Sequence, residues 1–210
     1  SAAQQAGDLA TEATLLDQAL EGKGAGDATS EVARLGWMRR LAQVHHSLGD
    51  SGAAIHKNKA ILEQWPMDAD AFDSLLVAYT EQQDWMSLCG LYQRTVDARE
   101  RESSLIDITG RMAWADVLAD RLGEVQQAIV CVGPLMESGH IDRDVSQVLI
   151  RFHEEVGDLL GVFRVLHAEF EVADQDRRRD ILDDMGALLL NADGHGELRE
   201  QLLRLKLAEN

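Results

Sequence analysis

The residues of this chain with the widest chemical repertoire are its histidines and carboxylates. His45 and His46 form an adjacent histidine pair. Neighbouring residues on a helix point about 100° apart, so the two rings are poorly placed to hold one metal ion. Packing of His45 between helices is therefore the favoured interpretation, with a metal site as the alternative.

The carboxylates lack the arrangement of a catalytic site. Glu154-Glu155 and Asp183-Asp184 are adjacent pairs, whereas general acid–base catalysis needs groups that converge in a dry pocket. The segment 193–197 resembles a calcium loop, but it lacks the alternating oxygen ligands and the distal glutamate. The chain also has no glycine-rich phosphate loop and no nucleophile elbow. We expect a non-enzymatic protein with no catalytic residue, no cofactor and no metal.

The distribution of charge excludes some partner classes. The net charge is −17, which argues against a sequence-independent nucleic-acid binder and against adsorption to an anionic membrane. The most basic run, 177–179, is surrounded by Asp174, Asp176 and Asp180, so we expect internal neutralisation, with an anion contact as the alternative. No apolar run reaches the length of about 18 residues that indicates a transmembrane helix.

Composition favours long helices in a reducing compartment. The chain has two prolines, Pro66 and Pro134, and a proline inside a helix costs about 3 kcal/mol. Cys89 and Cys131 stand alone in apolar stretches, as reduced core residues of a cytoplasmic protein do, although a disulfide stays open. The excess of arginine over lysine favours a bacterial source.

Recurring turn signals, mostly Gly-Asp or Gly-Glu, organise the chain. They lie at 7–8, 49–50, 83–84, 123–124, 157–158 and 196–197. Successive signals are 34 to 42 residues apart, which is the range of stacked helical repeats. Mostly apolar residues recur seven, eight and eleven positions before each turn, and this spacing traces one face of an α-helix. The pattern predicts helix pairs joined by short turns, with insertions at 22–27, 99–104 and 174–179.

Several residues predict where helices begin or bend. Asp68 is placed to cap the helix that follows it, and Ser104 with Asp107 has the spacing of a capping box. Pro134 predicts a kinked or shortened helix. These signals refine the helix boundaries.

At this spacing the residues resemble the tetratricopeptide repeat family, whose slots hold small and apolar residues. The first complete repeat supplies Met38, Leu41, Ala42, His45, Ala54, Asn58, Ile61 and Pro66. The next two supply Phe72, Leu75, Leu76, Tyr79, Leu88, Tyr92, Met112, Ala115, Ala128, Val132 and Leu135, and the fourth supplies Ile150, His153, Val162 and Leu166. His45, Asn58, Asp116 and Ala119 depart from the family pattern.

The resemblance implies an all-α, right-handed α-solenoid of stacked antiparallel helix pairs, with about eleven helices. Another paired-helix solenoid is the alternative. We expect a single repeat domain over 1–210, in which a half repeat at 1–22 precedes repeats at about 29–66, 68–100, 104–139, 142–173 and 176–208. Because almost nothing precedes the first turn, we also expect a fragment of a longer array.

The family resemblance further implies a protein-interaction scaffold whose first helices line a concave groove. The family's groove slots fall on Arg39, Gln43, His46, Asp70, Asp73, Val77, Thr80, Ala113, Val117, Asp120, Asp144, Gln147, Arg151 and Glu154. This set is mildly acidic, so the expected partner is a protein that offers a basic and apolar peptide or helix. A regulatory or sensor segment of a larger signalling protein or enzyme is the alternative. The oligomeric state is open.

Overall fold

The computed structural model describes residues 2–21, 28–190 and 194–209, and every regular element in these ranges is helical. The predicted glycine-rich insertion at 22–27 lies outside the described residues. The helices are α1 (Ala2–Glu21), α2 (Ala28–Ser47), α3 (Ser51–Gln64), α4 (Ala69–Gln82), α5 (Trp85–Ser103), α6 (Ile108–Asp116), α7 (Val125–Glu137), α8 (Arg143–Glu155), α9 (Leu159–Val172), α10 (Gln175–Leu190) and α11 (Gly196–Ala208). A π-helical segment, Val117–Arg121, continues α6.

The helices form two compact units. The N-terminal unit is Ser1–Leu105 and contains α1–α5, and the C-terminal unit is Ile106–Asn210 and contains α6–α11. Within each unit, helices pack mainly against their neighbours in sequence, which is the arrangement of a helical solenoid. For the described ranges, the prediction of an all-α, solenoid-like fold with about eleven helices is confirmed. The single domain over 1–210 stays a prediction.

Four of the predicted turns share one backbone conformation. Gly49, Gln83, Gly123 and Gly157 have φ values of 76°, 54°, 70° and 71°, in the left-handed region that favours glycine. The next residue is the N-cap of the following helix. Three of these caps are aspartates that accept a backbone hydrogen bond from three residues further on, namely Asp50, Asp84 and Asp158. The two-residue signal therefore ends one helix and starts the next.

The first and last turn predictions are wrong. Helix α1 runs through Gly7, whose carbonyl accepts a hydrogen bond from the Thr11 hydroxyl as it does within a helix. A glycine inside a helix costs only about 0.5–1 kcal/mol, which is too little to end the helix by itself. The Gly-Asp signal therefore ends a helix only where the following helix packs antiparallel against the first one. The last turn lies earlier than 196–197, because Gly194 has φ 87° and His195 is the N-cap of α11.

Two predicted caps have opposite outcomes. The Asp68 cap is confirmed, because its carboxylate accepts the backbone N–H of Ala71 at 2.9 Å. The capping box at Ser104 is wrong, since Ser104 has φ 56° and terminates α5. Asp107 is the N-cap of α6 instead and accepts the N–H of Gly110 at 3.0 Å. The serine ends the earlier helix, and it therefore does not begin the later one.

Each unit has its own buried core of aliphatic and aromatic side chains. Leu41, Ile61, Leu75 and Leu91 are fully buried in the N-terminal unit, and Leu135, Phe152, Ile181 and Met185 are fully buried in the C-terminal unit. Cys89 and Cys131 are both buried, in agreement with their apolar surroundings, and form no disulfide in the described part of the chain. Pro134 lies in the last turn of α7, which ends at Glu137.

Candidate functional site

A cavity of about 590 Å³ lies among α2, α3 and α4 of the N-terminal unit. Helices α2 and α4 are the first helices of successive pairs, and α3 connects them. The buried residues Ala42, Ala54 and Asn58 form the deepest part of the lining. Because two of these residues are alanines, the helices leave open space where larger side chains would fill it. We call this cavity the N-terminal groove.

The structure brings most of the predicted groove residues of this unit together. Six of the seven line the N-terminal groove, namely Arg39, Gln43, His46, Asp70, Asp73 and Val77. Thr80 is outside the lining, and its hydroxyl donates a hydrogen bond to the Leu76 carbonyl at 2.7 Å. The slots that the family resemblance supplied are thus adjacent in space within this unit, apart from the last.

Arg39 is held by two carboxylates of the next first helix. Its Nη2 lies 2.6 Å from Oδ2 of Asp68, and its Nη1 lies 2.9 Å from Oδ2 of Asp70. The Asp68 side chain is 1% exposed and also caps α4. The hydrogen bond to Asp68 raises the pKa of Arg39 above its usual value. The positive charge of Arg39 is therefore already compensated inside the protein.

Arg40, which also lines the N-terminal groove, is compensated by α1. Its Nε and Nη2 donate to the two oxygens of Glu12 at 2.6 and 2.8 Å, a two-point contact that guanidinium geometry favours. These hydrogen bonds lower the pKa of Glu12. Asp73 and Glu81, by contrast, have no ionic partner among the residues that the structure describes. The uncompensated charge of the groove is therefore negative.

Asn58 is one of several lining residues that the family slots do not include. It lies on α3, is 8% exposed and lines the N-terminal groove. Its side-chain amide has no hydrogen-bond partner within the described part of the chain. The signal in the sequence was its departure from the tetratricopeptide pattern, because an amide occupied a slot for a packed side chain.

The predicted groove residues of the C-terminal unit lie on α6, its π-helical continuation and α8. Arg151 of α8 lies 3.0 Å from Oδ1 of Asp116 and 3.4 Å from Oδ1 of Asp120. Its guanidinium also stacks over the Phe152 ring, 4.7 Å from the ring centroid. The structure therefore brings Asp120 and Arg151 together as an ion pair. The other predicted residues of this unit lie on the same elements: Ala113, Val117, Asp144, Gln147 and Glu154.

Two histidines, His45 and His153, lie beside equivalent turns. His45 is half-buried with Nδ1 3.8 Å from Oδ2 of Asp50, and His153 is half-buried with Nδ1 2.9 Å from Oδ2 of Asp158. The pKa of Asp158 is lowered mainly by the hydrogen bond from the Gly161 N–H, and His153 adds to the effect. Both rings therefore have a packing role at a turn. Among the described residues, no group of histidine, cysteine and carboxylate side chains is arranged to hold a metal ion.

The arginine run 177–179 is neutralised internally, as its acidic surroundings predicted. Arg177 pairs at 2.8 Å with Glu169, which is buried, and Arg178 pairs at 3.1 Å with Glu209. Arg179 lies 3.7 Å from Asp176. The main partners of the first two arginines are therefore distant in sequence and differ from the neighbouring aspartates.

The sequence matches no protein-family model, and a comparison with curated proteins finds no match either. None of the helices in the described ranges combines the length and the apolar character needed to cross a bilayer. The geometry of the N-terminal groove is therefore the main guide to function.

Proposed function

We propose that this chain is a tetratricopeptide-like, non-catalytic interaction module. Its N-terminal groove binds a basic and partly apolar peptide of a partner protein. The observation that carries the proposal is the charge of the groove: Arg39 and Arg40 are compensated within the protein, whereas Asp73 and Glu81 are free to attract a cation. Such complementarity speeds association and selects among partners.

The apolar part of the groove supports the same choice of ligand. Val77 is 52% exposed and lines the cavity beside the half-buried Ile55 of α3. Burial of apolar surface contributes about 25 cal/mol per Å². A peptide that alternates basic and apolar side chains would therefore satisfy both the carboxylates and the exposed aliphatic groups.

The dimensions of the groove suit a short peptide segment. A volume of about 590 Å³ lies within the range of about 300–1,000 Å³ for ligand sites. The buried thiols of Cys89 and Cys131, which form no disulfide in the described part of the chain, support a reducing, cytoplasmic setting. In this proposal the chain acts as a scaffold that holds a partner protein.

The proposal is tested with three fluorescent peptides of equal length, each of which contains leucine. The basic peptide also contains arginine and lysine, the acidic peptide contains glutamate, and the neutral peptide contains glutamine. Fluorescence anisotropy should show the tightest binding for the basic peptide. Its affinity should fall as the ionic strength rises, because salt screens exposed charges. Comparable binding of the acidic peptide would contradict the proposal.

A charge-reversal variant locates the binding site. Asp73→Lys should weaken binding of the basic peptide by at least about tenfold, since it replaces attraction by repulsion inside the groove. Asp97→Lys is the matched control, because Asp97 is exposed on α5 and lies outside the groove lining. Equal effects of the two variants would show that net charge, and not the groove, controls binding.

A further inference from the structure

The N-terminal groove is lined by an asparagine whose amide atoms remain accessible although the residue as a whole is buried. Asn58 is more than nine-tenths buried, lines the cavity and has no partner for its amide in the part of the protein that the structure describes. Polar side-chain atoms usually form hydrogen bonds to protein or to water. The accessible amide of Asn58 can therefore be satisfied by water or by a ligand that enters the cavity.

The surroundings of Asn58 favour a donor that carries a positive charge. The cavity carboxylates without an ionic partner among the described residues are those of Asp73 and Glu81, both of which accept hydrogen bonds when ionised. The cations of the lining, Arg39 and Arg40, already bind carboxylates of the protein. An incoming anion would therefore find no free cation in the lining, whereas an incoming cation finds free acceptors.

We propose that this cavity is a pocket for an arginine side chain. This inference rests on the proposed peptide-binding function and identifies arginine as the residue by which the partner peptide is anchored. One arginine of the partner peptide enters the cavity and donates hydrogen bonds to the side-chain oxygen of Asn58 and to the carboxylate of Asp73. Its aliphatic stem packs against Val77 and Ile55. A guanidinium suits the site better than an ammonium because it is planar, has five donors and is less strongly hydrated.

This assignment makes Asn58 a binding residue that contributes no side-chain hydrogen bond to the folded state. Its amide has no partner in the described part of the protein, so an apolar replacement breaks no internal hydrogen bond. Replacement by an apolar residue should therefore leave the melting temperature unchanged or raise it, while it removes an acceptor for the ligand. A purely structural asparagine would behave in the opposite way.

The first test uses N-acetyl-arginine methylamide and N-acetyl-citrulline methylamide, added to the whole chain and followed by NMR. Citrulline keeps the shape of arginine but has no charge. The arginine compound should shift the side-chain amide signals of Asn58 and the backbone signal of Asp73 saturably. The citrulline compound should give no saturation, and the corresponding lysine compound should bind at least about fivefold more weakly. Equal binding of arginine and citrulline would overturn the proposal.

The second test uses Asn58→Leu, with Gln93→Leu as the matched control on the exposed surface of α5. Asn58→Leu should reduce binding of the arginine compound by at least about tenfold without lowering the melting temperature, and Gln93→Leu should bind normally. A lower melting temperature with unchanged binding would overturn the proposal. So would unchanged binding by a folded Asn58→Leu variant.

The two proposals fail in distinguishable ways. If a basic peptide binds equally well with lysine in place of every arginine and ignores Asn58→Leu, the arginine pocket is wrong and peptide binding stands. If no basic peptide binds but the arginine compound saturates the Asn58 signals, the peptide function is wrong and the pocket stands.

Discussion

The two units each join consecutive first helices through one arginine and two aspartates, but the two links differ in burial. In the N-terminal unit, Arg39 contacts Asp68, which is buried and also caps α4. In the C-terminal unit, Arg151 contacts Asp116 and Asp120, which are 53% and 51% exposed. The first link pairs Asp70 of the predicted groove and leaves Asp73 without an ionic partner in the cavity, whereas the second pairs Asp120 of the predicted groove. The two links therefore differ mainly in how far their aspartates are buried.

The units also differ at an equivalent histidine turn. His153 lies 2.9 Å from Asp158, and the residue that donates to this cap is Gly161. The equivalent ring, His45, lies 3.8 Å from the cap Asp50, whose backbone donor is Ala53. A Cβ atom built on Gly161 would overlap the His153 ring and the Asp158 carboxylate. The absence of one methyl group therefore gives the histidine room to reach the aspartate.

The largest expected effect distinguishes the two arginine links. Asp68→Ala should reduce the free energy of unfolding by about 3 kcal/mol, because it removes a helix cap and charge-assisted hydrogen bonds. Asp70→Ala removes the exposed second partner of the same arginine and should cost less than about 1 kcal/mol. Urea denaturation measures both values. Similar losses in the two variants would contradict the importance of burial at Asp68.

The next effect concerns the histidine turn of the C-terminal unit. Gly161→Ala should reduce the free energy of unfolding by about 2 kcal/mol, because overfilling a packed site forces its neighbours to move. Gly186→Ala is the control, since a Cβ there has ordinary contacts with Lys206 and Leu202. The control should stabilise α10 by up to about 1 kcal/mol. A neutral Gly161→Ala variant would disprove the steric explanation.

Acid should reveal the contribution of the carboxylate at this turn. The folded-state pKa of Asp158 is lowered, chiefly by the Gly161 N–H. Its stabilisation is therefore present above the usual aspartate pKa of 3.8 and is lost as the pH falls through the lowered folded value. Asp158→Asn should cost about 1 kcal/mol at neutral pH. The difference in free energy of unfolding between the variant and the unmodified protein should shrink below about pH 4, as measured by denaturation at several pH values. A difference that grows as the pH falls would contradict a lowered pKa of Asp158 in the folded state.

The smallest expected effect is at the exposed link. Asp116→Ala should change the free energy of unfolding by less than about 0.5 kcal/mol, because exposed ion pairs contribute little and Asp120 still faces Arg151. Thermal denaturation with and without added salt measures the change. A loss comparable with that of Asp68→Ala would remove the contrast between the two units.

The sequence predicted those features that depend on local backbone chemistry. The left-handed residue and the aspartate cap follow from residue type alone, so the turns at Gly49 and Gly157 were predictable. Ser104 was misassigned because a serine can cap a helix or end one, and the choice depends on tertiary packing. Gly7 was misassigned because a turn also needs a second helix that packs back.

The groove was only partly predictable for a related reason. Helical periodicity placed Asp73 and Val77 on one face of α4, and the structure places both in one cavity. The free volume above Asn58 depends on packing among three helices, which residue spacing does not encode. The compensation of Arg40 by Glu12 likewise requires α1 to lie beside α2. The residue types therefore predicted that the groove is negatively charged, but they did not predict which of its charged side chains lack an ionic partner within the protein.

The left-handed conformation of Gln83 makes protein engineering beside the groove possible. Side chains other than glycine are disfavoured by about 1 kcal/mol or more at such a φ, and Gln83 is not among the residues that line the cavity. Gln83→Gly should therefore raise the melting temperature while leaving peptide affinity intact. Destabilising groove substitutions could then be introduced into the Gln83→Gly variant. Its added stability would offset their cost, so that binding variants could be compared at similar melting temperatures.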